Sequence, residues 1–201
     1  MSIREKRKQQ TQLAFIEAAL ALYREKRSFQ SISLRELSQR VGVVPSAFYR
    51  HFNDMQQLGH HLVDASALHL KDIFMHLIDH LDQPKQLVEF FIADLHDHSA
   101  IWQFIIGERL GSEIYIRQAL EQEWLCLIED LADHLMHSPL APKLDQPHLQ
   151  QWIEIWLHLS MSWAVQWLNI PALECDSYEA LQQKIEIQFQ LVFEHLNFTH
   201  S

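Results

Sequence analysis

The chain has 201 residues with only four glycines, six prolines and a formal charge of -10. That balance favours helices over turn-rich β architecture, in a chain long enough to bury a substantial core. Cys126 and Cys175 form no C-x-x-C pair, which argues against a disulfide framework and for a reducing compartment. The opening MSIREKRKQQ has no apolar run behind its charges, so it does not read as a secretory signal. The most apolar stretch, 149–168, is broken by Gln150, Gln151, Glu154, His158 and Gln166, too many polar groups for a lipid-spanning helix. A soluble, cytoplasmic protein with no membrane partner is expected.

Charge is unevenly placed. Residues 1–52 carry ten Lys/Arg against four Asp/Glu, a net of +6, and residues 53–201 carry six against twenty-two, a net of -16. Such a split suits a basic nucleic-acid module joined to an acidic regulatory body.

Residues 4–26 are predicted as one helix, with Leu13, Ile16, Leu20 and Tyr23 recurring at helical spacing and Phe15, Ala18, Ala19 and Leu22 widening the stripe. Arg4, Lys6, Arg7 and Lys8 sit at its positive end, where a basic lead-in makes sense beside phosphate. Ser33-Leu34-Arg35-Glu36 is a capping box. It opens a two-turn helix with Leu34, Leu37 and Val41 as its inner face, and Gly42 then allows the turn. Pro45 starts a second short helix, in which Phe48 points inward and Tyr49, Arg50 and His51 lie on the outer arc. Two short helices about a glycine turn form a helix-turn-helix.

Asn53-Asp54 is a natural N-cap for a long helix to about Leu81, along which Leu70, Ile73, Phe74, Leu77, Ile78 and Leu81 keep helical spacing. Starting directly after the reading helix, it would act as a lever. Further helices are expected near 84–97, 99–109, 112–137, 148–169 and 177–197. The last two are apolar on several faces: Trp152, Trp156, Leu159, Trp163 and Trp167 beside Ile153, Ile155, Leu157 and Val165, then Leu181, Ile185, Phe189, Val192 and Leu196 beside Ile187 and Leu191. Helices of that kind must be buried nearly all round, and a homodimeric four-helix bundle would do it.

Gly42-Val43, Phe48-Tyr49-Arg50-His51-Phe52 and Leu58 resemble the TetR family of bacterial transcriptional regulators over about residues 10–60. The run from Ser28 to Gly59 with Val63-Asp64, and more weakly Glu108-Arg109-Leu110-Gly111 and residues 129–135, is similar to the FabR/DesT-type repressors of unsaturated fatty acid synthesis. The lysine that follows the Tyr-x-His-Phe segment in many TetR-like proteins is replaced by Met55 or Gln56. The resemblance implies an all-α fold of about nine helices: a three-helix DNA-binding domain (1–54) and a helical ligand-binding and dimerisation domain (55–201). It also implies a homodimer on a palindromic double-stranded operator, and an effector such as a long-chain acyl-CoA or acyl carrier protein. Regulation of efflux or catabolic genes through another hydrophobic ligand is the alternative, and a helical ligand-binding protein without DNA affinity is a further one.

Within the head, Val44, Pro45, Ser46 and Ala47 are candidates for base edges, with Val44 and Ala47 on thymine methyls. Ser33, Arg35, Tyr49, Arg50 and His51 are candidates for the backbone. In the body, Phe90, Phe91, Trp102, Phe104, Ile105, Trp124, Leu127, Trp156 and Trp163 are candidates for an apolar pocket, with Arg109 for a polar head or an acidic partner. His76 and His80 share a helix face, and Asp94, His96, Asp97 and His98 cluster at a helix end. Zinc needs three or four converging ligands, so no metal and no cofactor is expected. The absence of a phosphate loop, a G-x-S-x-G elbow or paired cysteines argues against an enzyme. Cys126, in an apolar helical run, is expected to be buried and inert.

Overall fold

A computed structural model describes residues 3–138, 144–171 and 174–193, with Ile3, Arg4 and Cys175 given by their backbone alone. It is all helix among those residues: α1 (Ile3–Lys26), a 3-10 turn (Phe29–Ser31), α2 (Leu34–Val41), α3 (Pro45–Phe48), α4 (Met55–Asp79), α5 (Pro84–Asp97), α6 (Ser99–Glu108), α7 (Ile114–Met136), α8 (Gln146–Leu168) and α9 (Cys175–Phe193). None of these helices is long and apolar enough to cross a membrane. The expected position of Leu196 lies outside the described residues, as do residues 139–143 of the proline-containing loop 138–147.

The chain divides into two compact units. The first comprises residues 1–67 with 100–122, and the second residues 68–99 with 123–201. In the first, the core is aromatic. Phe15 of α1 meets Phe48 edge-on at 5.4 Å and Phe52 at 5.9 Å, and Phe48 stacks on Phe52 at 5.1 Å. Leu37, Leu58 and Leu62 are fully buried in the same unit. Each aromatic pair adds about 0.5–1.5 kcal/mol beyond simple area burial. The buried face of α1 differs from the predicted stripe. Phe15, Ala19, Leu22 and Tyr23 are buried, whereas Leu13 is 56% exposed and Ile16 and Leu20 are half-buried. The stripe is rotated because the large ring of Phe15, and not Leu13, fills the gap between α1 and the Phe48–Phe52 pair.

Residues 100–122 also belong to this unit. The Phe104 ring packs edge-on to Tyr23 at 5.3 Å, and the amide of Phe29 donates to the buried Glu108 carboxylate at 3.0 Å. Burial, and then the Glu108 charge, push the Tyr23 phenol well above its ordinary pKa. Two of the four glycines are explained here. A Cβ at Gly107 would collide with the Tyr23 hydroxyl, and one at Gly111 with the Glu108 carboxylate.

The second unit is built on the register read in the sequence: Leu70, Ile73, Phe74, Leu77, Ile78 and Leu81 are all buried. Phe74 meets Trp156 of α8 at 5.2 Å, and Phe189 stacks on Phe193 in α9 at 4.1 Å. Two tryptophans of α8, half-buried Trp152 and buried Trp163, satisfy their polar edges. Trp163 Nε1 donates to Gln188 at 2.7 Å and Trp152 Nε1 to the Val192 carbonyl at 3.2 Å. On the other faces Ile155 and Val165 of α8 and Ile187 and Leu191 of α9 are exposed. Cys126 is exposed too, contrary to the expectation of burial. On α7 Trp124, Leu127, Ile128 and Leu131 point inward, and the turn per residue carries Leu125 and Cys126 to the outer arc.

Gly107→Ala is expected to destabilise the protein by about 1–3 kcal/mol through overpacking. In a Tyr23→Phe background, where the clashing oxygen is gone, the penalty should shrink. Thermal unfolding of the four proteins measures this, and an equal penalty in both backgrounds would refute the clash.

Candidate nucleic-acid interface

The reading head is set by local chemistry before any partner is present. Ser33 caps α2 through both halves of a capping box: its Oγ accepts from the Glu36 amide at 3.3 Å, and Glu36 Oε2 accepts from the Ser33 amide at 3.2 Å. Lys26, at the end of α1, bonds Glu36 at 2.7 Å and the Ser31 carbonyl at 2.9 Å. Lys26 and Ser33 together hold the Glu36 carboxyl down to about 2. Arg27 ends α1 with φ 60°, its amide reaching the Tyr23 carbonyl at 2.7 Å. Gly42, at φ 78°, closes α2 in the left-handed conformation, and its own amide turns back to Gln39 and Ser38.

Pro45 then opens α3 after Val44, in the extended conformation, acts as its N-cap. The helix itself covers only Pro45–Phe48. The chain leaves it through turn bonds from Arg50 to the Ala47 carbonyl and from His51 and Phe52 to that of Phe48. Asp54 accepts the Gln57 amide at 2.7 Å and Gln57 accepts the Asn53 amide at 2.6 Å, which starts α4 at once.

The candidate residues are placed as follows. Val44 (66% exposed), Pro45 and Ser46 lie on the surface, and Ala47 is half-buried. Arg35, Tyr49 (61%) and Arg50 are exposed as well. Ser33 is exposed, but its hydroxyl already accepts the Glu36 amide and donates to Glu36 Oε2 at 2.6 Å. It therefore positions α2, with little bonding capacity left for an external group. His51 is half-buried against Phe15 at 5.9 Å, and its Nδ1 is buried with no hydrogen-bond partner among the described residues. Burial first, then the charges of Lys8 and Arg50, lower its pKa from the ordinary value near 6.5. That coupling places Lys8 of the basic lead-in and Arg50 at one electropositive spot around a neutral imidazole.

The candidates for the apolar pocket divide between the two units. Trp102, Phe104 and Ile105 are core residues of the first unit, where half-buried Arg109 feels the charge of Glu121. One oxygen of the neighbouring Glu108 takes the Phe29 amide, and the other is buried with no hydrogen-bond partner among the described residues. In the second unit Phe91, Trp156 and Trp163 line a cavity with Leu77, Leu87, Val88, Ser160, Ile185 and Phe189. Its free space is about 10 Å³, room for one water where ligand sites span roughly 300–1,000 Å³. Phe90 lies beside it in sequence but stacks on His76 at 4.1 Å, and Trp124 packs on His158 at 5.4 Å. Leu127 is buried in α7. The six lining residues missed in the sequence carry no chemical signature; only packing selects them.

The described residues are all helical and carry a helix-turn-helix behind a basic lead-in. Residues 15–62 match the family described as "Bacterial regulatory proteins, tetR family". The fold is similar to that of a transcriptional regulator of the TerR/AcrR family from Aquifex aeolicus, with a TM-score of 0.69 at 19% identity over 91% of this chain and 99% of that one. It is also similar to a protein from Mesorhizobium loti assigned to the TetR family, with a TM-score of 0.65 at 18% identity over 94% and 97%. At these identities the likeness is one of fold. The matched segment takes in the helix-turn-helix and the start of α4.

His51 makes a pH prediction. Because its folded pKa is lowered, its stabilising contribution is fully present above about 6.5 and is lost as pH falls through the folded value. His51→Asn cannot take up that proton. Between pH 7.5 and 5.5 the wild type should lose more in Tm than the variant does, and parallel losses would overturn the assignment.

Proposed function

We propose that the protein is a cytoplasmic transcriptional repressor that grips a palindromic operator as a homodimer and responds to a hydrophobic effector of the long-chain acyl-CoA or acyl thioester type. In this reading residues 1–54 are the DNA-binding domain and residues 55–201 the ligand-binding and dimerisation domain. The observation that carries the DNA-binding half is the exposed Val44–Ser46 edge, held by the Ser33 and Gly42 caps beside an electropositive spot. Ser46 offers a donor and acceptor to a base edge, and Val44 and Ala47 offer methyls to thymine. Arg35, Tyr49 and Arg50 hold phosphates, which positions the head without reading sequence.

Support for the dimer comes from Ile155, Val165, Ile187 and Leu191, large apolar side chains left in water on α8 and α9. Unpartnered apolar faces of this size mark interaction surfaces. Support for an apolar effector comes from the aromatic lining around Phe91, Trp156 and Trp163. Seating an acyl chain there requires the cavity to widen, so the effector would select a conformation that differs from this closed one. The fatty acid assignment rests on the resemblance of the reading head and of the Glu108–Gly111 run.

Three measurements test these parts separately. Arg50→Ala should weaken binding to all DNA sequences alike and make the salt slope shallower by about one unit; unchanged operator affinity in the folded variant would remove the phosphate contact. Ile187→Glu with Leu191→Glu should give monomers in sedimentation, and a persistent dimer would place the interface elsewhere. Operator release, followed by fluorescence anisotropy against saturated and unsaturated acyl-CoAs, should depend on chain length. No response to any of them would leave a TetR-type regulator with a different effector.

A further inference from the structure

One cluster of titratable side chains in the second unit plays no part in the proposed reading head. His69 on α4, Asp94 on α5 and His98, the C-cap of α5, each bring one nitrogen or oxygen within 4.8 Å of the other two. Asp94 is buried, and its two oxygens point to different imidazoles. Oδ2 lies 3.1 Å from His69 Nε2, and Oδ1 lies 2.7 Å from His98 Nδ1. The two rings sit 4.5 Å apart between centroids. The Asp94 side chain is 5% exposed and that of His98 49%, which gives the cluster a dry floor and an open mouth.

We propose that His69, Asp94 and His98 bind one divalent transition-metal ion, with Zn²⁺ as the ion best suited to the donors. Two imidazole nitrogens and one carboxylate oxygen favour zinc, nickel or cobalt over magnesium and calcium, which take mostly oxygen ligands. With metal–ligand distances of about 2.0–2.2 Å, tetrahedral donors stand roughly 3.3 Å apart. The His69–Asp94 separation of 3.1 Å is already near that value, and the half-exposed His98 ring at a helix end can swing out from its 2.7 Å contact to complete the set. Three protein ligands leave the fourth position to water. An ordinary structural carboxylate needs one imidazole. Here Asp94 gathers two, from separate elements, with their rings side by side.

The sequence shows Asp94 and His98 together at a helix end but conceals His69, 25 residues before Asp94. The neighbours that looked like partners are elsewhere: His96 and Asp97 are exposed and bond each other at 2.9 Å. His76 and His80 face each other at 4.4 Å, but His80 Nδ1 turns back to the His76 carbonyl at 2.9 Å. The bound ion ties α4 to the end of α5 inside this unit, so it stabilises the folded chain by mass action.

The test uses the full chain, stripped with a chelator and titrated with ZnCl₂ by calorimetry, with cobalt(II) absorption as a spectroscopic readout. One equivalent should bind per chain, raise Tm, and give cobalt d–d bands of a nitrogen- and oxygen-ligated site. His69→Gln and His98→Gln should each weaken that equivalent at least tenfold and remove the bands, while His76→Gln with His80→Gln should leave both intact. His98→Gln, at a half-exposed helix end, keeps the test valid if His69→Gln fails to fold. Zinc affinity and cobalt bands that are unchanged in folded His98→Gln, or absent from the wild type, overturn the proposal.

Discussion

The geometry of the reading head depends on a buried carboxylate far along the chain. Between α1 and α2 the backbone makes a single 3-10 turn, and the first amide of such a turn has no partner within it. For Phe29 that amide is buried against Glu108, which accepts it at 3.0 Å. Leaving a buried donor unmade costs about 1–3 kcal/mol, so the contact holds the turn that sets where α2 begins. Gly107 and Gly111 follow from the same constraint, because no Cβ fits beside Tyr23 or Glu108.

This arrangement gives residues 100–122 a direct hold on the helix-turn-helix segment. A change in the path of α6 would be felt at Phe29 and Tyr23 before it reached α2. Lys26 carries the same constraint forward, since it bonds both the Ser31 carbonyl and the Glu36 carboxyl that completes the α2 cap. The cap, the turn and the aromatic core around Phe15 therefore act on one small piece of the chain, which carries the exposed Val44–Ser46 edge. A preorganised edge is what a protein needs to discriminate bases without a large ordering cost on binding.

The two histidine features differ in kind. Burial, and then the charges of Lys8 and Arg50, lower the pKa of His51, and its imidazole packs on Phe15 as part of the head. His69 and His98 converge on a buried acid, which is a geometry with ligand chemistry. Fourteen histidines in the sequence make both easy to count and hard to tell apart.

Local rules were enough for much of this protein. The capping box at Ser33, the glycine turn at Gly42, the Pro45 start and the Leu70–Leu81 stripe were legible because each depends on residues within a turn or two of one another. The all-helical class followed from the same spacing. Tertiary structure decided the rest. It chose Phe15 over Leu13 for the core, turned Cys126 outward, committed the Ser33 hydroxyl to Glu36, split the aromatic pocket candidates between two units, and brought His69 to Asp94. In every one of these the deciding contact, or the surface left without one, depends on how whole helices pack, and spacing along a single helix cannot specify its rotation against its neighbours or which distant polar group will meet a buried one.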